Sequence, residues 1–231
     1  METNTILGMA KINFRQSKTA YLVSGIVVAL FMVSEIITSL ILRLDRGEVT
    51  TSLSCYVYLL PLLMSILIPA QNFRKLMSLG AKCLDFFKAC ILNYLCVSAA
   101  VSALSMALML SWDQLIIASG TNTLNLFEVF GFMRGGPLVA FVQMTALLLL
   151  LCCALHSLTL AQGRWYGYAV DAAIIAVISV FTPIEPLRNA EIWFFNLIIF
   201  HQLAFVQIIA CLVVAAAVYL AGLVPLRGKR V

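Results

Sequence analysis

Apolar residues along this chain gather into long unbroken runs, and polar residues fall mostly in the short intervals between them. Six runs stand out, at 20–42, 52–70, 86–111, 137–161, 167–181 and 204–224. A helix crossing a hydrocarbon core about 30 Å thick needs roughly 20 apolar residues at about 1.5 Å rise each. The runs approach or exceed that length, the fifth being the shortest. None alternates apolar and polar positions as a barrel strand would, and lipid offers no water to unpaired peptide groups, so the runs are expected to cross as helices. The predicted fold is all-α, a polytopic membrane domain over 20–226 with six transmembrane helices. A further apolar stretch at 192–200 reads as a re-entrant helix, an interfacial helix or the early part of a longer sixth span.

Two segments outside the runs also carry helical periodicity. Ahead of the first run, Ile6, Ala10 and Phe14 recur at a helical interval, with Lys11, Arg15 and Lys18 on a neighbouring stripe. This predicts an amphipathic interfacial helix over 1–19, able to meet membrane lipids through both stripes. The connection from Trp112 to Arg134 is the longest between runs and holds an amphipathic patch at 124–130, expected as a short outer helix. Pro61 and Pro69 fall inside the second run and predict a kink or early stop, because proline lacks the amide hydrogen that a helix needs.

Composition confirms the solvent. Of 231 residues 63% are apolar and 11% charged, against roughly 25% charged in soluble domains. The intervals are too short for a separate soluble domain. The net charge of +5 matters through its placement. Lys11, Arg15, Lys18, Arg74, Lys75, Lys82, Lys88, Arg164, Arg227, Lys229 and Arg230 fall on one side of a six-span arrangement. The other side receives Arg43, Arg46, Arg134 and Arg188, together with Asp45, Glu48, Asp113, Glu128, Glu185 and Glu191. Because basic loops stay inside, both ends of the chain and the basic tail at 227–231 are expected in the cytoplasm, with the chain in the cell membrane.

The stretch QNFRKLMSLGAKCLDFFKAC at 71–90 is the most informative interval. Four basic residues, a Gly80 break and the apolar Phe73, Leu76, Leu79, Leu84, Phe86 and Phe87 make it an amphipathic elbow. A plain chain reversal would account for the charge. It would not account for three phenylalanines on a solvated hairpin, so these are expected to meet a partner. Glu35, read as lying near the middle of the first run, and Asp171 in the fifth are candidates for an intramembrane pathway or for packing, since a carboxylate in lipid is costly. His156 shares a helix face with Cys152 and Cys153. Without further ligands it reads as packing or pathway, not as a metal site, and no metal is expected. The seven cysteines show no disulfide or zinc spacing and read as small packing residues. There is no GxxxxGK[ST], no HExxH and no nucleophile with a base at defined spacing, so no catalytic residue is predicted and the chain is not expected to be an enzyme. Nothing calls for nucleic acid.

An amphipathic basic entry helix, six spans with inside termini and the elbow LMSLGAKCLDFFKACIL together resemble the permease subunits of ABC type-2 exporters. The resemblance covers almost the whole chain. It implies that the elbow at 71–88 acts as a coupling helix for a separate ATPase subunit, with Arg74, Lys75, Leu79, Gly80, Lys82, Asp85, Phe86 and Phe87 at the coupling positions. Ala81-Lys82-Cys83 stands where many relatives place a Ser-Arg pair. It further implies a cytoplasmic ATP-binding-cassette ATPase and a second permease copy or homologue as partners. ATP and magnesium would be held by the ATPase, and no cofactor by this chain. The compact size, without a large outer domain, resembles members that expel amphipathic or antimicrobial peptides. A multi-span scaffold or regulatory subunit is the competing reading and predicts an inert elbow.

Overall fold

A computed structural model describes residues 8, 11–12, 14–15, 17–41, 49–80, 82–118, 122–162, 165–181 and 183–223. The expectations that fall on Ile6, Ala10, Arg43, Asp45, Arg46, Glu48, Arg164 and the 227–231 tail lie outside them. Within 1–16, the described residues Gly8, Lys11, Ile12, Phe14 and Arg15 are helical.

Among the described residues, five helical stretches are long and apolar enough to cross a membrane, the character of a multi-pass membrane protein. The first is α1 (Lys18–Ile41). The second combines α2 (Leu53–Val57) and α3 (Leu59–Ser78), which meet at Tyr58. Pro61 lies just inside α3, where its missing N–H removes the bond to the Val57 carbonyl and favours the interruption. Pro69 is accommodated within α3. The third begins as α4 (Cys83–Leu108), widens into a π segment (Met109–Asp113) and ends as α5 (Gln114–Ala118). The fourth is α7 (Pro137–Ala161), and the last is α10 (Ala204–Ala221). At the start of α7, Gly136 adopts φ +88°, a region open to glycine, and Pro137 takes the first helical turn, where no N–H is needed.

The fifth predicted run is shorter than these. It forms α8 (Trp165–Ala176), running into a π segment (Val177–Phe181). Pro183 follows, and helix restarts as α9 (Glu185–Phe195) with Pro186 in its first turn. A third π segment (Asn196–Phe200) ends α9, and the chain bends through His201–Leu203 before α10. The 192–200 stretch is therefore a separate helix and not the start of the last span. Gln207 Nε2 donates to the Ile198 carbonyl at 2.8 Å and the Cys211 thiol donates to it at 3.4 Å, fastening that helix end to α10.

Between α5 and α7 lie β2 (Asn122–Leu124), α6 (Leu126–Val129) and a 3-10 turn (Phe132–Gly135). Strand β1 (Val49–Thr51) pairs in parallel with β2, Val49 opposite Asn122 and Thr51 opposite Leu124. The buried Phe127 and Phe132 close this end of the bundle, with Phe127 set edge-on to Tyr58 at 6.5 Å.

α7 is the centre of the molecule, packed by α3, α4 and α10, while α1 lies mainly against α3 and α8 is peripheral. Met64, Ile68, Tyr94, Met144, Cys152, Cys153 and Cys211 fill the interior. Lipid is as apolar as leucine, so such helices associate through close packing and hydrogen bonds more than through a hydrophobic drive. Two tiers of buried polar contacts supply those bonds. In one, Asn72 Nδ2 donates to Ser17 Oγ at 2.7 Å and Tyr21 Oη to Asn93 Oδ1 at 2.6 Å, joining α1 to α3 and α4. In the other, Asp113, Ser52, Ser54 and Asn125 meet. Asn93 and Asp113 stand twenty residues apart on one helical stretch, about 30 Å of rise, which matches a hydrocarbon core about 30 Å thick.

Candidate functional site: the elbow and the polar tiers

The elbow is a tight reversal between α3 and α4. Gly80 at φ +81° follows the end of α3, its N–H bonded to the Met77 carbonyl and the Leu79 N–H to the Lys75 carbonyl, which satisfies the helix end in the manner of a glycine cap. Lys82 then caps α4 through its carbonyl, and Asp85 sits in the first turn, where the helix dipole favours negative charge. On α3 Phe73 and Leu76 point inward, leaving Arg74, Lys75, Ser78 and Leu79 outside. On α4 Lys82, Leu84 and Lys88 are outside and Asp85 is half-buried. The surface is therefore a basic rim around two leucines, Leu79 at 74% and Leu84 at 60% exposure.

Phe86 and Phe87 do not belong to that surface. They are 0% and 3% exposed, in the bundle core, contrary to the expectation that the elbow presents its phenylalanines to a partner. Helix periodicity is the reason. With Leu84 and Lys88 one turn apart on the outer face, positions 86 and 87 are turned toward α3, α7 and α10. Phe86 meets Phe73 edge-on at 5.6 Å, which locks α3 against α4 directly behind the reversal.

Both rings also enclose His156. Its ring lies 6.3 Å from Phe86, 5.0 Å from Phe87, 5.5 Å from Tyr94 and 5.1 Å from Tyr219. Tyr94 Oη and His156 Nδ1 share a hydrogen bond of 2.7 Å, and Tyr219 Oη donates to the Phe87 carbonyl at 2.8 Å. Nε2 of His156 is buried without a hydrogen-bond partner. The Cys152 thiol turns instead toward the Pro61 carbonyl at 3.4 Å. Among the described residues no three His, Cys, Asp or Glu side chains are placed to hold a metal ion.

No family model, curated protein or solved structure matches this chain. Geometry alone must then sort the remaining candidates. Glu35 accepts from Tyr56 Oη at 2.8 Å, beneath a Phe31–Tyr56 ring stack at 6.1 Å. Tyr56 belongs to α2 at the end opposite the elbow, so Glu35 lies toward that end and not at mid-span. Asp171 accepts twice from Gln162 Nε2, at 3.1 and 2.8 Å, where α7 ends on the elbow side. Glu35, Asp171 and His156 thus have separate partners at separate levels and do not form one pathway.

The polar cluster that does converge was not singled out from sequence. The Ser52 hydroxyl lies 2.9 and 2.8 Å from the two Asp113 carboxylate oxygens, and Asn125 Nδ2 donates to Asp113 at 2.8 Å and to Ser54 Oγ at 2.9 Å. Asn125 Oδ1 accepts from the Phe127 N–H at 3.0 Å and caps α6. All four residues are buried. The signal was the position of Ser52 and Asp113 at the edges of spanning runs, where a polar side chain can be either wet or buried.

Proposed function

We propose that the chain is the permease subunit of an ATP-binding-cassette exporter in the cell membrane, powered by a separate cytoplasmic ATPase that seats on the elbow. In this reading α8 and its π extension cross with the five longer stretches, giving six spans and a cytoplasmic elbow. The exposed pair Leu79 and Leu84 within the basic rim of Arg74, Lys75, Lys82 and Lys88 carries the reading. Two apolar side chains held out on a capped helical reversal are costly in water and suited to a partner's pocket. The Phe73–Phe86 contact makes the elbow stiff, so force applied at Leu79 would reach α3 and α4 together. A second permease copy or homologue completes the exporter, and ATP with magnesium belongs to the ATPase. Substrate passes along the interface of the two permeases, where the outward faces of α1 and α8 are open. An amphipathic peptide fits such an interface best.

The test is affinity capture of the tagged chain from its native host, in mild detergent. A co-purifying subunit with a nucleotide-binding motif is expected, and Leu79→Asp with Leu84→Asp should lose it while the permease stays monodisperse. Capture of the permease alone, or an undiminished complex in the double variant, overturns the reading.

A further inference from the structure

A groove of about 710 Å³ runs between the N-terminal helical residues and α4, bordered by Lys11, Phe14, Asn93, Cys96, Val97 and Ala100 among others. That volume lies within the roughly 300–1,000 Å³ typical of ligand sites. Three observations limit what can occupy it. Its walls are almost wholly apolar. Asn93, only 8% exposed, lines it with both ends of its amide turned into the protein, Oδ1 bonded to Tyr21 and Nδ2 enclosed. The exposed Lys11 also lines it, with Arg15 and Lys18 exposed nearby in sequence and no carboxylate among the described lining residues. The groove thus offers the positive charge of Lys11 and hydrocarbon along most of its lining. An anionic head on an apolar tail matches both features.

Depth supplies the rest. Asn93 marks the elbow-side polar tier, about 30 Å of helix from Asp113, so the groove opens where the hydrocarbon core meets the headgroups. Phe14 is held against Tyr21 at 4.9 Å between ring centres, which fixes the outer wall to α1. We infer that this groove binds one anionic phospholipid of the elbow-side leaflet. The anionic head lies beside Lys11, and an acyl chain runs past Val97 and Ala100 toward the bilayer centre. The inference does not depend on the ATPase reading.

Native mass spectrometry of the purified full chain, titrated with phosphatidylglycerol or phosphatidylcholine, reads it directly. One phosphatidylglycerol should be retained in preference to phosphatidylcholine. Lys11→Glu should reduce that preference about tenfold, given the modest energy of each juxtamembrane basic residue. Lys82→Glu, on the elbow, should leave it unchanged. Equal retention of the two lipids, or equal loss in both variants, overturns the site. A phosphatidylglycerol with a diazirine on its acyl chain needs no variant: adducts should concentrate on the peptide holding residues 92–100, and an even spread over all lipid-facing helices overturns the assignment.

Discussion

Asp113 is a buried carboxylate whose neighbours at hydrogen-bond distance are neutral, Ser52 and Asn125. Such a group depends on each donor. Asn125→Ala removes the amide from Asp113 and Ser54 and leaves the Phe127 N–H without its cap, a loss of about 1–3 kcal/mol for a buried polar group made unsatisfied. Asn125→Asp keeps the shape and the cap acceptor but sets a second carboxylate against the first, and it should be the more damaging of the two. Thermal unfolding in detergent gives the order; an Asn125→Asp protein as stable as Asn125→Ala would mean the cluster is wet. Tyr56→Phe tests the smaller case. It deletes only the donor to the half-buried Glu35, and interhelical bonds of this kind average about 0.6 and reach about 1.7 kcal/mol. The same unfolding measurement should place it below that ceiling.

Among the helices, a close approach occurs where α10 ends against α7. A Cβ on Gly222 would stand 2.5 Å from Ser157 Oγ and 2.9 Å from its Cβ. Ser157 is itself held by a 3.0 Å bond to the Val218 carbonyl, so it cannot simply swing away. Gly222→Ala should cost about 1–3 kcal/mol, the usual range for overpacking. Adding Ser157→Ala removes the nearer clash and should recover part of the loss in the same melt. Gly25 on α1 is the contrasting case, with nothing within 4 Å of an added Cβ. There Gly25→Ala should be neutral or stabilising by up to about 1 kcal/mol through helix propensity. A marked loss at Gly25 would show that a second helix packs there in the assembled state.

For the molecule as a whole, the burial of Phe86 and Phe87 separates folding from coupling. Phe86→Asp places a charge among Phe73, Phe87 and His156 and should abolish monodisperse protein, whereas Leu79→Asp should not. Size-exclusion profiles of the two variants distinguish them. Sidedness is equally accessible. In a background without native cysteines, Ser78→Cys and Gln162→Cys should react with an impermeant maleimide from one side, and Leu124→Cys from the other. Labelling of Gln162→Cys from the side of Leu124→Cys would break the alternation on which the six-span proposal rests.

The apolar runs determined where the long spanning helices form, because in lipid each backbone must satisfy its own hydrogen bonds within the segment, a requirement that local sequence meets or fails. Run 137–161 and α7 (Pro137–Ala161) coincide for that reason. The elbow was legible too, through its basic residues and Gly80. Side-chain facing was not. Whether Phe86 meets solvent or His156 depends on a helix seventy residues away in sequence, and the Ser52–Asp113 contact joins residues 61 apart. Composition cannot tell a wet aspartate from one enclosed by a serine and an asparagine of other segments. It likewise cannot tell a phenylalanine offered to a partner from one that locks two helices. Those choices are made only when the helices pack, since packing alone brings distant donors, acceptors and rings within reach of one another.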